Sequence, residues 1–270
     1  MLKYLILCTT LTNSFLMPNP VRVYSKYVKD EKIKVFEPYN INKDKIDSVL
    51  FFTGGNSIIP SEIYSNFLSQ LSSNNISLHV ASSNMDVTEL LADELSEEYK
   101  SLTVVGHSTG CINAIETCNN NKNIKKSVLL DPVDNRFLFG DENKKKKIKY
   151  LDNILFLNAK KSYEFSLFPL RIPFIPAFKL EEENLDIFRD TQIQKMEAEE
   201  FGHCDILNTL WSDIMHKTIS EGHNNRDEEE LSNYHKWVSL IISTFISDNE
   251  NKKRNLKLIL DSEMTNIKFN

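Results

Sequence analysis

Glycine is scarce in this chain, at 7 of 270 residues. Glycine loses more conformational entropy on folding than any other residue, so a sequence this poor in it is expected to keep it where the backbone must do what other residues resist. Five of the seven fall in three short clusters: Gly54-Gly55, Gly106 and Gly110 on either side of Ser108, and Gly202 just before His203. Cysteine is scarce too, at 4 residues. Cys8 lies in a leader-like N-terminus, and Cys111, Cys118 and Cys204 are an odd set without Cys-x-x-Cys spacing, which excludes a disulfide scaffold and predicts free thiols. Cys111, Ile115 and Cys118 share one face of a predicted helix, which reads as burial of small apolar side chains. No apolar run approaches the roughly 18 residues of a membrane span. Basic charge is not in excess, with 32 Lys and Arg against 38 Asp and Glu and a net charge of −6. That balance excludes a general polyanion binder, so no nucleic-acid partner is expected. The lysines at 144–147, with Lys149, form the one basic cluster and read as a solvated loop. His-Glu-x-x-His, Gly-x-Gly-x-x-Gly and the P-loop are all missing from the sequence, so no metal, nucleotide or flavin cofactor is expected.

What is present organises as one domain. Hydrophobic residues make up 41% of the chain, enough for a single large core, and single cores grow to about 250 residues before chains split. Residues 1–30 read as a leader: Lys3, an apolar stretch from Tyr4 to Leu11, small polar residues, then a basic segment carrying Arg22, Lys26 and Lys29 with no acidic residue before Asp30. That order resembles the two-part plastid leaders of algae with secondary plastids, with a plain secretory signal or a buried N-terminal strand as the alternatives. Residues 31–250 read as the folded domain and 251–270 as a peripheral tail. Short runs rich in β-branched and aliphatic residues, such as Val49-Leu50-Phe51-Phe52 and Leu102-Thr103-Val104-Val105, alternate with helical patterns for which Ser61 and Asp86 are the expected caps. The alternation predicts an α/β fold, a mainly parallel central sheet with helices on both faces. A strongly apolar insertion, Phe165 to Leu180 within 162–188, is interrupted by prolines and reads as a lid over an apolar substrate.

The chemistry centres on Gly106-His107-Ser108-Thr109-Gly110, directly after a predicted strand and before a helix. Gly-x-Ser-x-Gly in that setting is a nucleophile elbow, where a serine sits on a sharp strand-to-helix turn. A serine hydroxyl needs a histidine to take its proton and a carboxylate to orient that histidine. Of the six histidines, His203 follows a predicted strand and Gly202, and comes late in the chain as the Ser, acid, His order requires. The acid is expected after the strand that follows the elbow helix, which ends Asp131-Pro132-Val133-Asp134. Asp131 leads and Asp134 is the alternative, while Asp205 is expected to cap the helix after His203. An oxyanion hole needs two backbone N–H groups, for which Thr109 and Gly55 are the candidates.

These segments resemble one family. Phe51-Phe52-Thr53-Gly54-Gly55 through Tyr64 to Leu71, the elbow, the Asp131-Pro132-Val133-Asp134 turn and Phe201-Gly202-His203-Cys204-Asp205-Ile206-Leu207 resemble the chlorophyllase group of α/β-hydrolases, as do Asn184 and Phe188. The resemblance implies the α/β-hydrolase fold, ester hydrolysis by Ser108, Asp131 and His203, and the aspartate of the Asp-Pro-Val turn as the acid. Where the family has a basic residue and paired glycines after the nucleophile, this chain has Thr109, Gly110 and Cys111. A wider, lipase-like esterase is compatible, acting on a small apolar ester such as chlorophyll or a lipid and touching a membrane peripherally. A thioesterase or acyltransferase with the same triad and a non-catalytic binding protein are the rival readings.

Overall fold

Residues 19–39, 41–134, 145–164, 166–167, 172–173, 179–219, 227–247, 254 and 267–269 are described by the structure, a computed structural model. In chain order the strands are β1 (Val21–Val28), β2 (Glu31–Pro38), β3 (Asp47–Phe52), β4 (Ile76–Val80), β5 (Ser101–His107), β6 (Lys126–Leu130), β7 (Lys146–Ile148), β8 (Asn153–Ala159), β9 (Ser166–Leu167), β10 (Ile172–Pro173), β11 (Leu185–Ile187), β12 (Gln192–Ala198) and β13 (Ile267–Phe269). Nine of them form one sheet in the order β1-β2-β4-β3-β5-β6-β8-β12-β13. The inner run from β4 to β12 is parallel, and β1, β2 and β13 are antiparallel to their neighbours.

The central strands β3, β4, β5, β6 and β8 are buried almost throughout because both faces of the sheet are covered there. Along β3, Val49 and Phe51 join a core with helices α1 (Ser65–Ser73) and α5 (Glu228–Ile246), through Phe67, Leu71, Val238 and Ile241. The alternate residues Leu50 and Phe52 enter a second core on the other face with α2 (Met85–Glu98) and α3 (Gly110–Asn120), through Leu91, Leu95, Ile112 and Ile115. Helix α4 (Thr209–Ile219) lies against β9. Cys111, Cys118 and Cys204 are buried, free thiols.

Several expectations shift by a few residues. The cap of α2 is Asn84, whose side chain accepts from the Asp86 N–H, because Asn84 holds the extended backbone just outside the helix while Asp86 is already inside the first turn. Ser61 opens a 3₁₀ turn (Ser61–Tyr64) and caps nothing, since Pro60 occupies the flanking position. Part of the lysine cluster is not a loop: Lys146–Ile148 is a strand paired in parallel with β11, and Lys146 bonds Glu116 at 2.8 Å, while Lys144 lies outside the described residues. Within the apolar insertion, β9 and β10 pair as an antiparallel ribbon, Lys179 bridges Val133, and most of the remaining residues of the expected lid lie outside those described.

The leader boundary at residue 30 is corrected. Val21–Val28 is an edge strand of the sheet, joined to β2 by the turn Lys29-Asp30, whose φ angles are 44° and 67°. Its basic residues are structural. Arg22 stands opposite Glu37 in the ladder and bonds its carboxylate at 2.5 and 3.0 Å, and Lys26 bonds Glu94 at 2.6 Å. Glu37 is fully buried and also accepts from the hydroxyls of Tyr24 and Tyr99, each at 3.0 Å. The expected signal at residues 1–18 lies outside the described residues.

Burial alone would push the Glu37 carboxyl up, but the bonds from Arg22, Tyr24 and Tyr99 outweigh it and hold the group below the ordinary glutamate value. A carboxyl lowered on folding stabilises the fold above its unfolded value of about 4.3 and loses that contribution as pH falls through the folded value. Arg22→Ala is therefore expected to cost about 2 kcal/mol at pH 7, less than the 3–5 kcal/mol of a fully dry pair because Arg22 is half exposed. Urea midpoints should show the deficit at pH 7 and a smaller one below about pH 4.

Candidate active site

The elbow forms as the sequence predicts. β5 ends at His107, α3 begins at Gly110, and Ser108 between them takes φ 56°, a left-handed conformation that a non-glycine residue holds only under constraint. The constraint is backbone contact. A Cβ on Gly110 would lie 2.4 Å from the Thr53 carbonyl oxygen, and one on Gly106 would lie 2.6 Å from the Cys111 Cα, so neither position accepts a side chain. Ser108 N–H donates to the Leu130 carbonyl at 3.0 Å, and the Val133 N–H donates to the Ser108 carbonyl at 3.2 Å, tying the turn to the end of β6.

The structure brings three of the sequence-chosen residues into one hydrogen-bonded line. His203 Nε2 lies 2.9 Å from Ser108 Oγ, and His203 Nδ1 lies 2.5 Å from Asp131 Oδ2. Asp131 follows β6 with φ 42° and is buried; its other oxygen accepts from the Ala159 N–H at 3.1 Å, and its own N–H donates to the Leu157 carbonyl at 2.9 Å. Burial pushes this carboxyl up, but the adjacent His203 ring more than offsets that and holds it below the ordinary aspartate value. An ionised, acceptor-only carboxylate on Nδ1 fixes that nitrogen as the N–H donor and leaves Nε2 free to accept the serine proton.

Gly55, Asn56 and Ser57 all have positive φ, at 61°, 55° and 65°, and form a left-handed turn after β3. The Gly54 N–H donates to Tyr64 Oη at 3.0 Å, and the Asn56 N–H donates to Thr109 Oγ1 at 2.8 Å. Between them, the Gly55 N–H has no acceptor among the described residues, and neither has the N–H of Thr109. Those are the two amides expected to form the oxyanion hole. The hydroxyl of Thr109 has a second use that the sequence did not reveal, since it anchors the turn carrying Gly55 to the elbow.

The loop carrying His203 is held from several sides. Asp205 does not cap α4; its carboxylate turns back to accept from the Gly202 N–H at 2.8 Å and from Ser212 Oγ at 3.2 Å, because the loop's own unpaired N–H lies closer than the helix end. His235, buried on α5, donates from Nε2 to the Asp205 carbonyl at 2.8 Å, and Phe201 stacks on Tyr234 with ring centroids 4.0 Å apart. Burial lowers His235 from the ordinary histidine value, so it holds the loop as a neutral ring. Tyr64, His107 and His235 were not singled out from sequence as site residues. The only sequence signal for His107 was its place inside the elbow.

Among the described residues, no group of three or more His, Cys, Asp or Glu side chains is placed to hold a metal ion, and no helix is long and apolar enough to cross a membrane.

No protein-family profile and no curated protein matches the chain in sequence. Solved structures do match in fold. A crystal structure of a mutant of the esterase rPPE aligns with a TM-score of 0.56 at 10% identity, over 90% of this chain and 89% of that one. Sheet order, elbow and this likeness together define the chain as having the α/β-hydrolase fold.

The geometry separates the two acid candidates. Asp131→Asn is expected to slow labelling of Ser108 by a fluorophosphonate roughly 10,000-fold, since an amide at that position favours the wrong histidine tautomer. Asp134→Asn should change the labelling rate by less than about threefold, since both ring nitrogens of His203 are engaged by Asp131 and Ser108. Intact-protein mass spectrometry over time measures both rates.

Proposed function

We propose that this protein is a serine hydrolase that cleaves a carboxylic ester of an apolar substrate. The observation that carries the reading is the line from Ser108 through His203 to Asp131, at 2.9 and 2.5 Å. In this mechanism Ser108 Oγ attacks the ester carbonyl while His203 Nε2 takes its proton, and Asp131 stabilises the resulting imidazolium. The amides of Gly55 and Thr109 donate to the oxyanion. Collapse of the tetrahedral intermediate expels the alcohol, which takes the proton from His203 and leaves an acyl-serine. A water molecule, deprotonated by His203, then attacks the acyl group, and the second collapse returns the carboxylic acid and free Ser108.

Support for an apolar substrate comes from the segments that carry the oxyanion turn and the histidine. Ile58, just after the turn, is 76% exposed, and Leu210 on the first turn of α4 is 67% exposed, with Trp211 and Ile214 also open beside it. Apolar side chains held in water on both segments favour an apolar ligand over a charged one. The resemblance to the chlorophyllase group points to chlorophyll or a related lipid ester, and the strongly apolar insertion between β8 and β11 fits a lid for such a molecule.

The test is turnover of short- and long-chain p-nitrophenyl esters, acyl thioesters and chlorophyll by wild type and Ser108→Ala. Long-chain oxygen esters should be preferred, and Ser108→Ala should lower kcat by more than about 10,000-fold. Unchanged turnover in Ser108→Ala would remove the mechanism, preferential turnover of thioesters would make the protein a thioesterase, and no turnover of any substrate would leave a binding protein on the same fold.

A further inference from the structure

Two buried groups beside the triad have no role in the mechanism above. Tyr64 is completely buried and His107 is 3% exposed. Tyr64 Oη lies 3.0 Å from the Gly54 N and 2.9 Å from His107 Nδ1, and His107 Nε2 lies 3.1 Å from the His203 carbonyl oxygen. The direction of every bond follows from which atoms can donate. A carbonyl oxygen only accepts, so His107 carries its proton on Nε2 and its Nδ1 is an acceptor. Tyr64 must then donate its hydroxyl proton to Nδ1, and its oxygen accepts from the Gly54 N–H. The result is a one-way chain, from Gly54 N–H to Tyr64 O–H to His107 to the His203 carbonyl.

This chain joins two segments that β5 does not otherwise connect. One end is the residue before Gly55, whose amide faces the proposed oxyanion. The other is the backbone of the residue that carries the base. We infer that Tyr64 and His107 are positioning residues, whose relay holds the Gly55 amide and the His203 ring in register for the same reaction centre; the inference rests on the ester-hydrolase reading for its effect on rate. Burial and the neighbouring His203 push His107 down to about 3, and burial pushes the Tyr64 phenol up, so both stay neutral and the chain keeps one direction. An oxyanion exists only after attack, so a displaced Gly55 amide weakens the transition state and leaves ground-state binding alone.

The experiment compares Tyr64→Phe, His107→Leu, His107→Gln and the Tyr64→Phe/His107→Leu double variant with wild type, reading kcat and KM on the best ester substrate and urea midpoints for folding. Glutamine keeps a donor near the Nε2 position, and leucine does not. Tyr64→Phe and His107→Leu are each expected to lower kcat about 10- to 100-fold with KM changed less than about twofold, the cost of a misplacement near 1 Å. His107→Gln should recover most of the loss, and the double variant should fall no further than the worse single one, as members of one chain are not additive. Unchanged kcat, losses carried by KM, or additive losses would overturn the relay. If His107→Leu does not fold, Tyr64→Phe and His107→Gln carry the comparison. Long-range proton–nitrogen spectra of histidine-labelled protein give a readout independent of turnover: His107 should show the Nε2–H tautomer, and Tyr64→Phe should shift the resonances of both His107 and His203. Another tautomer, or an undisturbed His203, overturns the inference. A wild type that neither turns over esters nor reacts with a fluorophosphonate overturns the ester-hydrolase reading instead, and the relay is then decided by the spectra.

Discussion

No atom fits between Gly110 and the Thr53 carbonyl, and much of the site's geometry follows from that contact. A Cβ at Gly110 would meet backbone at 2.4 and 2.8 Å, from Thr53 and Phe52, and backbone cannot rotate aside as a side chain can. The start of α3 therefore rests directly on the end of β3. β3 and β5 are neighbours in the ladder, with Phe52 opposite Gly106, so the turn after β3 and the elbow after β5 leave the sheet side by side. That closeness lets the Thr109 hydroxyl reach the Asn56 N–H. Distances set by rigid backbone vary little, which is what a hole for a developing charge requires. The positive φ angles at Gly55, Asn56, Ser57, Ser108 and Asp131 all fall at the C-terminal ends of β3, β5 and β6. Each costs something in isolation, and the buried sheet beneath supplies the order that holds them.

His203 has no such foundation. It stands on a loop between β12 and α4, and loops are positioned by tethers. Here the tethers are Asp205 folding back on Gly202, His235 and His107 donating to loop carbonyls, and Phe201 stacked on Tyr234. They come from α5, from the elbow and from the loop itself, so His203 is fixed relative to the end of β5 and to the helix packed on one face of the sheet. Two of the tethers are buried histidines kept neutral by burial. A charged ring in either position would add a second cation beside the imidazolium that forms on His203, a cost that the dry surroundings would magnify.

Residues legible in the sequence were those whose role is set by local pattern. The elbow announces itself because glycines at both flanks of a serine, after an apolar strand, answer a local steric demand. Asp131 and His203 followed from the order of elements along the chain. The relay was not legible, because Tyr64 and His107 lie 43 residues apart and meet only when α1 docks on the sheet. Asp205 differs from its expected role for a related reason: a helix start four residues on is visible in sequence, while the loop N–H that competes for the same carboxylate is not. The edge strand at 21–28 is only an alternative in the sequence, because its basic residues and lack of acid also fit a leader. The sequence did hold the contrary signal, since Val21, Val23 and the Lys29-Asp30 pair before Ile33, Val35 form a hairpin pattern with a two-residue turn. Arg22 balances Glu37 across that hairpin, so the missing acid was on the next strand.

The departures from the resembling family now have different weights. Thr109 stands where a longer, basic side chain is expected, and its short hydroxyl is spent on the Asn56 N–H, a bond whose geometry a flexible lysine or arginine would not reproduce. The turn carrying Gly55 is thus anchored to the elbow by a side-chain bond. Cys111 stands where a second glycine is expected; its thiol lies 3.8 Å from the Leu130 carbonyl oxygen, buried in the core on the α3 face of the sheet. It changes packing under the nucleophile and not the surface above it. On the proposed reading, chemistry and substrate choice are therefore controlled by different parts of the molecule. Ser108, Asp131 and the two amides are built at the ends of the central strands, while the exposed Ile58, Leu210, Trp211 and Ile214 belong to segments that can change without moving those strands.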